Sequence, residues 1–156
     1  MARFNFLKGD TTRTVNIDIR KFFEENFPCK SKDTPFIDEV KEIIIRAFPH
    51  YITIDEIATK IQRNKKSVQR MFINVFGIKY IQMVETLRIY CAIALLQRTR
   101  LYNTGIAIML NYSDLSGLDR DFNKVIGISP NKVRILLKNL SAGALFRRYY
   151  RYKILP

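Results

Sequence analysis

The sequence predicts an all-α protein: two helix-turn-helix subdomains joined by a long linker helix. Three observations carry that prediction. Apolar residues recur at helical spacing through residues 36–138, glycines suited to helix ends stand at positions 77 and 127, and the pattern repeats after about fifty residues. A short N-terminal extension over 1–35 precedes the first subdomain and linker helix over 36–98. The second subdomain follows over 99–138, and a basic aromatic tail occupies 139–156.

Each element has its own signal. In the extension, Phe4 and Phe6 lead to a Lys8-Gly9-Asp10 turn and then to alternating Val15, Ile17 and Ile19. That pattern predicts a β-hairpin, with a helix after it around 20–26. Ile37, Val40, Ile44, Ala47 and Phe48 mark a helix over about 36–48 that Pro49 stops. Thr53 with Glu56 forms a capping box, and the helix it starts presents Ile54, Ile57, Ala58 and Ile61 to a core. Val68, Met71, Phe72 and Val75 make the next stripe, closed by Gly77. Ile81, Val84, Leu87, Cys91 and Leu95 share one face of a linker helix over about 79–98, roughly 30 Å long. Ile106, Ala107 and Leu110, then Leu118, Phe122 and Val125, repeat the pair of short helices, closed by Gly127. Ser129-Pro130 opens the last predicted helix, where the missing proline N–H costs nothing. The tail, Arg147-Arg148-Tyr149-Tyr150-Arg151-Tyr152-Lys153, interleaves cations with aromatics. That run suits lying on phosphates, stacking on bases or packing through its tyrosines, and packing with loose phosphate contact is the preferred reading.

Composition narrows the function. The 156 residues are 47% hydrophobic and 26% charged, as in globular proteins. The longest apolar run, Cys91 to Leu96, is far below the roughly 20 residues of a membrane span. The N-terminus lacks a basic-then-apolar secretion pattern, so a cytoplasmic location is expected. Cys29, Cys91 and His50 are too few for a four-ligand zinc site, and no cofactor is expected. No phosphate-cradling glycine loop is present and His50 lacks nearby triad partners, so the chain does not read as an enzyme. The 27 Lys and Arg against 14 Asp and Glu give a formal charge of +13, which points to a polyanionic partner. Lys60, Arg63, Lys65, Lys66 and Arg70 fall within eleven residues without a carboxylate.

The repeat is specific. Val68/Leu118, Arg70/Arg120, Phe72/Phe122, Gly77/Gly127 and Ile78/Ile128 are each fifty residues apart, and Ile57-Ala58 matches Ile106-Ala107 at forty-nine. The segment from about 52 to 134 resembles the DNA-binding region of the AraC/XylS family of bacterial transcription regulators. Its first half matches through Gln69-Arg70-Met71-Phe72, Gly77-Ile78, Arg88, Ala92, Leu95 and Leu96. The second matches through Tyr112-Ser113-Asp114, Ser116, Arg120, Phe122, Gly127-Ile128-Ser129-Pro130 and Arg134. The chain is most similar to the compact MarA/SoxS/Rob branch.

That resemblance implies paired helix-turn-helix subdomains on double-stranded promoter DNA, commonly activating transcription through a surface that meets RNA polymerase. On this reading Lys66, Gln69 and Arg70 face the major groove, since arginine suits guanine and glutamine suits adenine. Lys60, Arg63 and Lys65 serve phosphates. Ser116 and Arg120 carry over as contacts of the second unit. That unit departs from the family at Asp119 and Asp121, so its recognition helix is net negative and the reading of DNA is expected to be lopsided. Gln62 and Asn111 occupy turns where the family prefers glycine. The extension is too short for a ligand-binding domain, leaving a packing flap, a dimerisation element or a remnant of a longer chain. The alternative reading is a protein-interaction module that regulates transcription mainly by binding another regulator or RNA polymerase.

Overall fold

The computed structural model describes residues 2–8, 11–29 and 36–152. Gly9 and Asp10 of the expected turn, and Lys153 of the tail, lie outside them. Strands β1 (Ala2–Lys8) and β2 (Thr11–Ile17) pair as a two-stranded sheet, as the alternation predicts. The other described elements are helices, so the all-α class with an N-terminal hairpin holds. They form two compact units, one comprising Asp18–Val84 and the other Arg3–Ile17 with Glu85–Tyr152.

In the first unit, α1 (Ile19–Asn26) begins where Asp18 accepts from the Lys21 N–H at 3.0 Å. Ile19 is thus the first helical residue rather than the end of the strand alternation. Phe22 and Phe23 are buried, and the Phe23 ring meets Phe76 edge-on at 5.8 Å. An Arg20–Glu42 ion pair joins α1 to α2 (Ile37–Ala47), which buries Ile37, Val40 and Ile44. The extension is therefore built into a core.

Helix α3 (Ile54–Lys60) carries the predicted capping box: Thr53 N–H donates to Glu56 at 2.6 Å, and Glu56 N–H donates back to Thr53 Oγ1 at 3.2 Å. The Thr53 N–H, with the Thr53 hydroxyl donating to the same carboxyl oxygen at 2.7 Å, holds the Glu56 carboxyl below its usual range. Helix α4 (Lys65–Phe76) starts at Asn64, which accepts from Ser67 N–H, and buries Val68, Phe72, Val75 and Phe76. It ends at Gly77, whose φ of 71° is open to a residue without Cβ.

Helix α5 (Tyr80–Arg98) corrects the single-face stripe. It is buried almost all round, through Met83, Val84, Leu87, Ile89 and the run Cys91–Leu96, while Ile81 is 45% exposed. A helix apolar on every side marks a core element and gives no stripe to read.

In the second unit, α6 (Asn103–Met109), α7 (Leu115–Val125) and α8 (Pro130–Leu136) follow the expected order. Ile106, Ala107, Leu110, Leu118, Phe122, Val125 and Val133 form their core. Phe4 and Ile17 of the hairpin are buried, and Arg98 donates to the Asn16 carbonyl at 2.8 Å. Arg134 donates to the carbonyls of Leu101 at 2.6 Å and Thr99 at 3.4 Å. The tail contains an unforeseen helix, α9 (Ala142–Tyr149). Ser141 caps it by accepting from Ala144 N–H, and Ala142, Leu145 and Phe146 are its buried face.

Candidate nucleic-acid interface

The repeat in sequence is a repeat in geometry. Gln62 and Asn111 both adopt left-handed φ, 52° and 60°, in the turn between the paired helices. Glutamine here takes a left-handed conformation that costs least for a residue without Cβ. After each, the same bond closes the turn: Arg63 N–H to Ala58 O at 2.8 Å, and Tyr112 N–H to Ala107 O at 3.0 Å. Asn64 and Asp114, fifty apart, cap the second helices by accepting from Ser67 and Gly117 N–H, both at 2.8 Å. Gly77, the C-cap of α4, and Gly127, the residue after the Ile126 C-cap of α7, adopt left-handed φ of 71° and 72°.

With the buried arc of α4 fixed by Val68, Phe72, Val75 and Phe76, its opposite side is exposed. Lys66 and Arg70 stand one turn apart there, with Gln69 beside them, and all three are exposed. This face also carries Asn74, four residues beyond Arg70, and Ile73, neither foreseen as site residues. Helical spacing from Arg70 was the signal for Asn74. The three candidate phosphate residues differ. Lys60 is exposed at the end of α3. Lys65 is paired with Asp55 at 2.7 Å, and the Arg63 guanidinium lies 4.2 Å over the Phe36 ring. Lys60, Arg63 and Lys65 thus stand around the start of α4 rather than on its outer face.

On α7 the exposed residues are Ser116, Arg120, Asn123 and Lys124. The acidic residues sort into three positions. Asp114 is the N-cap, Asp119 is partly exposed on the flank, and Asp121 is only 5% exposed. The Tyr112 hydroxyl donates to Asp121 at 2.8 Å. Burial pushes the Asp121 carboxyl up, the Tyr112 bond opposes it, and nearby Glu85 raises it further. Burial also pushes the Tyr112 hydroxyl up, with the Asp121 charge adding to it. A net-negative surface on this helix is therefore corrected: Asp121 faces the interior. Gly117 also has a positive reason, since a Cβ there would stand 3.1 Å from the Tyr112 ring. Lys124 reaches Glu85 at 3.1 Å, leaving Ser116, Arg120 and Asn123 as the outward set.

Two units with matched turns, caps and helix ends define the class of protein. Residues 57–135 match the helix-turn-helix domain family, and the chain belongs to this AraC-type family of DNA-binding transcription regulators. Such proteins are regulators rather than enzymes. The chain is 30% identical over 97 residues to the uncharacterized HTH-type transcriptional regulator YtdP of Bacillus subtilis, covering 62% of this chain and 13% of that protein. It is also similar to the C-terminal domain of AraT, a response regulator from Geobacillus stearothermophilus. That likeness has a TM-score of 0.62 and 25% identity, over 67% of this chain and 88% of the other. The DNA-binding domain of AdpA, solved with a target DNA, shares the fold at TM-score 0.59 and 19% identity, over 65% and 91% of the two chains. Among the described residues no helix is long and apolar enough to cross a membrane.

Proposed function

We propose that the chain is a sequence-specific regulator of transcription, acting as an activator, that inserts α4 and α7 into adjacent major-groove segments of promoter DNA. One observation carries the reading. Lys66, Gln69 and Arg70 stand exposed together on a helix whose other side is pinned by four buried apolar residues. A helix anchored in this way presents base-reading side chains at fixed positions. Lys60, Arg63 and Lys65 supply phosphate contact around it, and Ser116 and Arg120 serve on α7. AdpA's target DNA supports a DNA partner for the shared fold.

The test is Arg70→Ala on a duplex that the wild-type chain selects from a random-sequence pool. Affinity falls by about 1–3 kcal/mol and base preference relaxes at one position. Activation in this reading also requires contact with RNA polymerase.

A second reading has a specific observation behind it. Tyr51, Ile73 and Ile81, all more than 40% exposed, line a hollow of about 400 Å³ with Ile54 and Tyr80 in the first unit. Exposed apolar side chains gathered in one place suit protein contact, as in a module that regulates mainly by binding another regulator or the polymerase. Unchanged affinity in Arg70→Ala favours that reading. Dimerisation through the N-terminal extension gains nothing from Phe4, Ile17, Phe22 and Phe23, which are buried within the chain itself.

A further inference from the structure

We propose that the segment 150–152 is a clasp that fixes α7 in its reading pose, with Arg151 and Tyr152 as positioning residues. The inference rests on the reading above, in which α7 enters DNA. It concerns a segment beyond residues 57–135, where the family match ends.

The last carbonyls of a helix have no partner within it. At the end of α7 the Phe122 carbonyl is taken by the N–H groups of Ile126 and Gly127, at 3.0 Å each. The next orphans are those of Asn123, Lys124 and Val125, and Arg151 takes two of them. Its backbone N–H donates to Val125 O at 2.8 Å, and its guanidinium Nη1 donates to Asn123 O at 3.3 Å. A cation at this end of a helix also meets the negative pole of the backbone dipoles. The chain makes room for it: a Cβ at Gly127 would overlap the Arg151 guanidinium.

Tyr152 completes the hold through a shared carboxylate. Its hydroxyl donates to one oxygen of Glu85, and the other oxygen accepts from Lys124 of α7 at 3.1 Å. Glu85 is 8% exposed, so the carboxylate that the two share is itself largely shielded from water. Upstream, the Tyr150 hydroxyl lies 3.2 Å from the Thr86 hydroxyl, and its ring stacks on Phe146 at 4.9 Å. Phe146 in turn meets Tyr90 edge-on at 5.9 Å. The clasp thus grips the backbone of α7 at its C-terminal end, while the side chains of Ser116, Arg120 and Asn123 remain exposed.

The experiment compares the full chain with Arg151→Ala, Arg151→Lys and Tyr152→Phe. Hydrogen exchange in the free protein reports the hold itself, and α4 amides are the internal control. Arg151→Ala is expected to speed exchange in the last turn of α7 about ten-fold with α4 unchanged. Tyr152→Phe shifts it the same way by less, and Arg151→Lys restores most of the protection. On the duplex selected by the wild-type chain, hydroxyl-radical footprints of Arg151→Ala lose one half-site about ten-fold more than the other. Unchanged α7 exchange in both Arg151→Ala and Tyr152→Phe overturns the proposal, as does equal weakening of both half-sites. If the wild-type chain selects no duplex, the DNA reading fails, and the exchange data still decide whether the clasp exists.

Discussion

Asp121 shows how one residue changes the account of a surface. Its folded-state pKa is raised, chiefly by burial, with Glu85 adding to the rise and Tyr112, Lys124 and Arg120 opposing it. The stability it contributes is full below the unfolded carboxylate value of about 4, and it is lost as pH rises through the folded value. Asp121→Asn removes that loss while keeping an acceptor for Tyr112. We therefore expect a higher Tm than wild type at pH 7, with the gap closing toward pH 4. Asp121→Ala leaves the Tyr112 hydroxyl without its acceptor and lowers stability by about 1–3 kcal/mol in denaturant titrations at pH 7. Asp119 is the carboxylate left on the flank of α7, so Asp119→Ala is expected to tighten DNA binding, as fluorescence titration reads. Sequence alone could not separate these two aspartates. Asp121 and Leu115 flank the apolar arc of Leu118, Phe122 and Val125 symmetrically, and hydrophobicity favours burying Leu115. Tyr112, which offers a hydroxyl inside, tips the helix the other way. The basic row on α4 was legible because its arc is unambiguous and no acid interrupts it.

At the scale of elements, local chemistry was readable where it is self-contained. The box at Thr53, the proline at the start of α8 and the glycines at 77 and 127 each act within one turn of chain. Thr53→Ala is expected to cost about 1 kcal/mol by urea denaturation, because the Glu56 N–H loses its acceptor and the Glu56 carboxylate loses one of its two donors. Elements shaped by the rest of the protein were harder. The burial of α5 on every side erases the periodicity that marks a surface helix. Helix α9 is short and its Arg147-Arg148 pair belongs to the run of cations and aromatics that marks the tail, which masks its Ser141 cap and the spacing of Ala142, Leu145 and Phe146. The N-terminal extension read as a hairpin and helix, but its role depended on partners distant in sequence. With Phe23 fully buried against Phe27 and Phe76, Phe23→Ala is expected to destabilise the first unit by about 3–5 kcal/mol. Thermal melts of that variant test whether the extension is part of the core.

For the whole molecule, the charge of +13 acquires an address only through the fold. On the exposed side of α4, Lys66 and Arg70 have no carboxylate between them, while Lys65 is engaged by Asp55 and Lys124 by Glu85. Net charge alone fits any polyanion. Two matched units with an anchored, exposed basic helix fit double-stranded DNA read by sequence. Affinity then divides into a salt-sensitive phosphate part and a base-reading part. The most direct test titrates the wild-type chain against its selected duplex and against random competitor at several salt concentrations. For a sequence-specific DNA binder log K falls steeply and linearly with log salt, and the selected duplex is preferred by a factor of about 10³ or more. A steep slope with no preference over competitor would contradict sequence-specific recognition, and weak binding with no slope would contradict DNA as the partner.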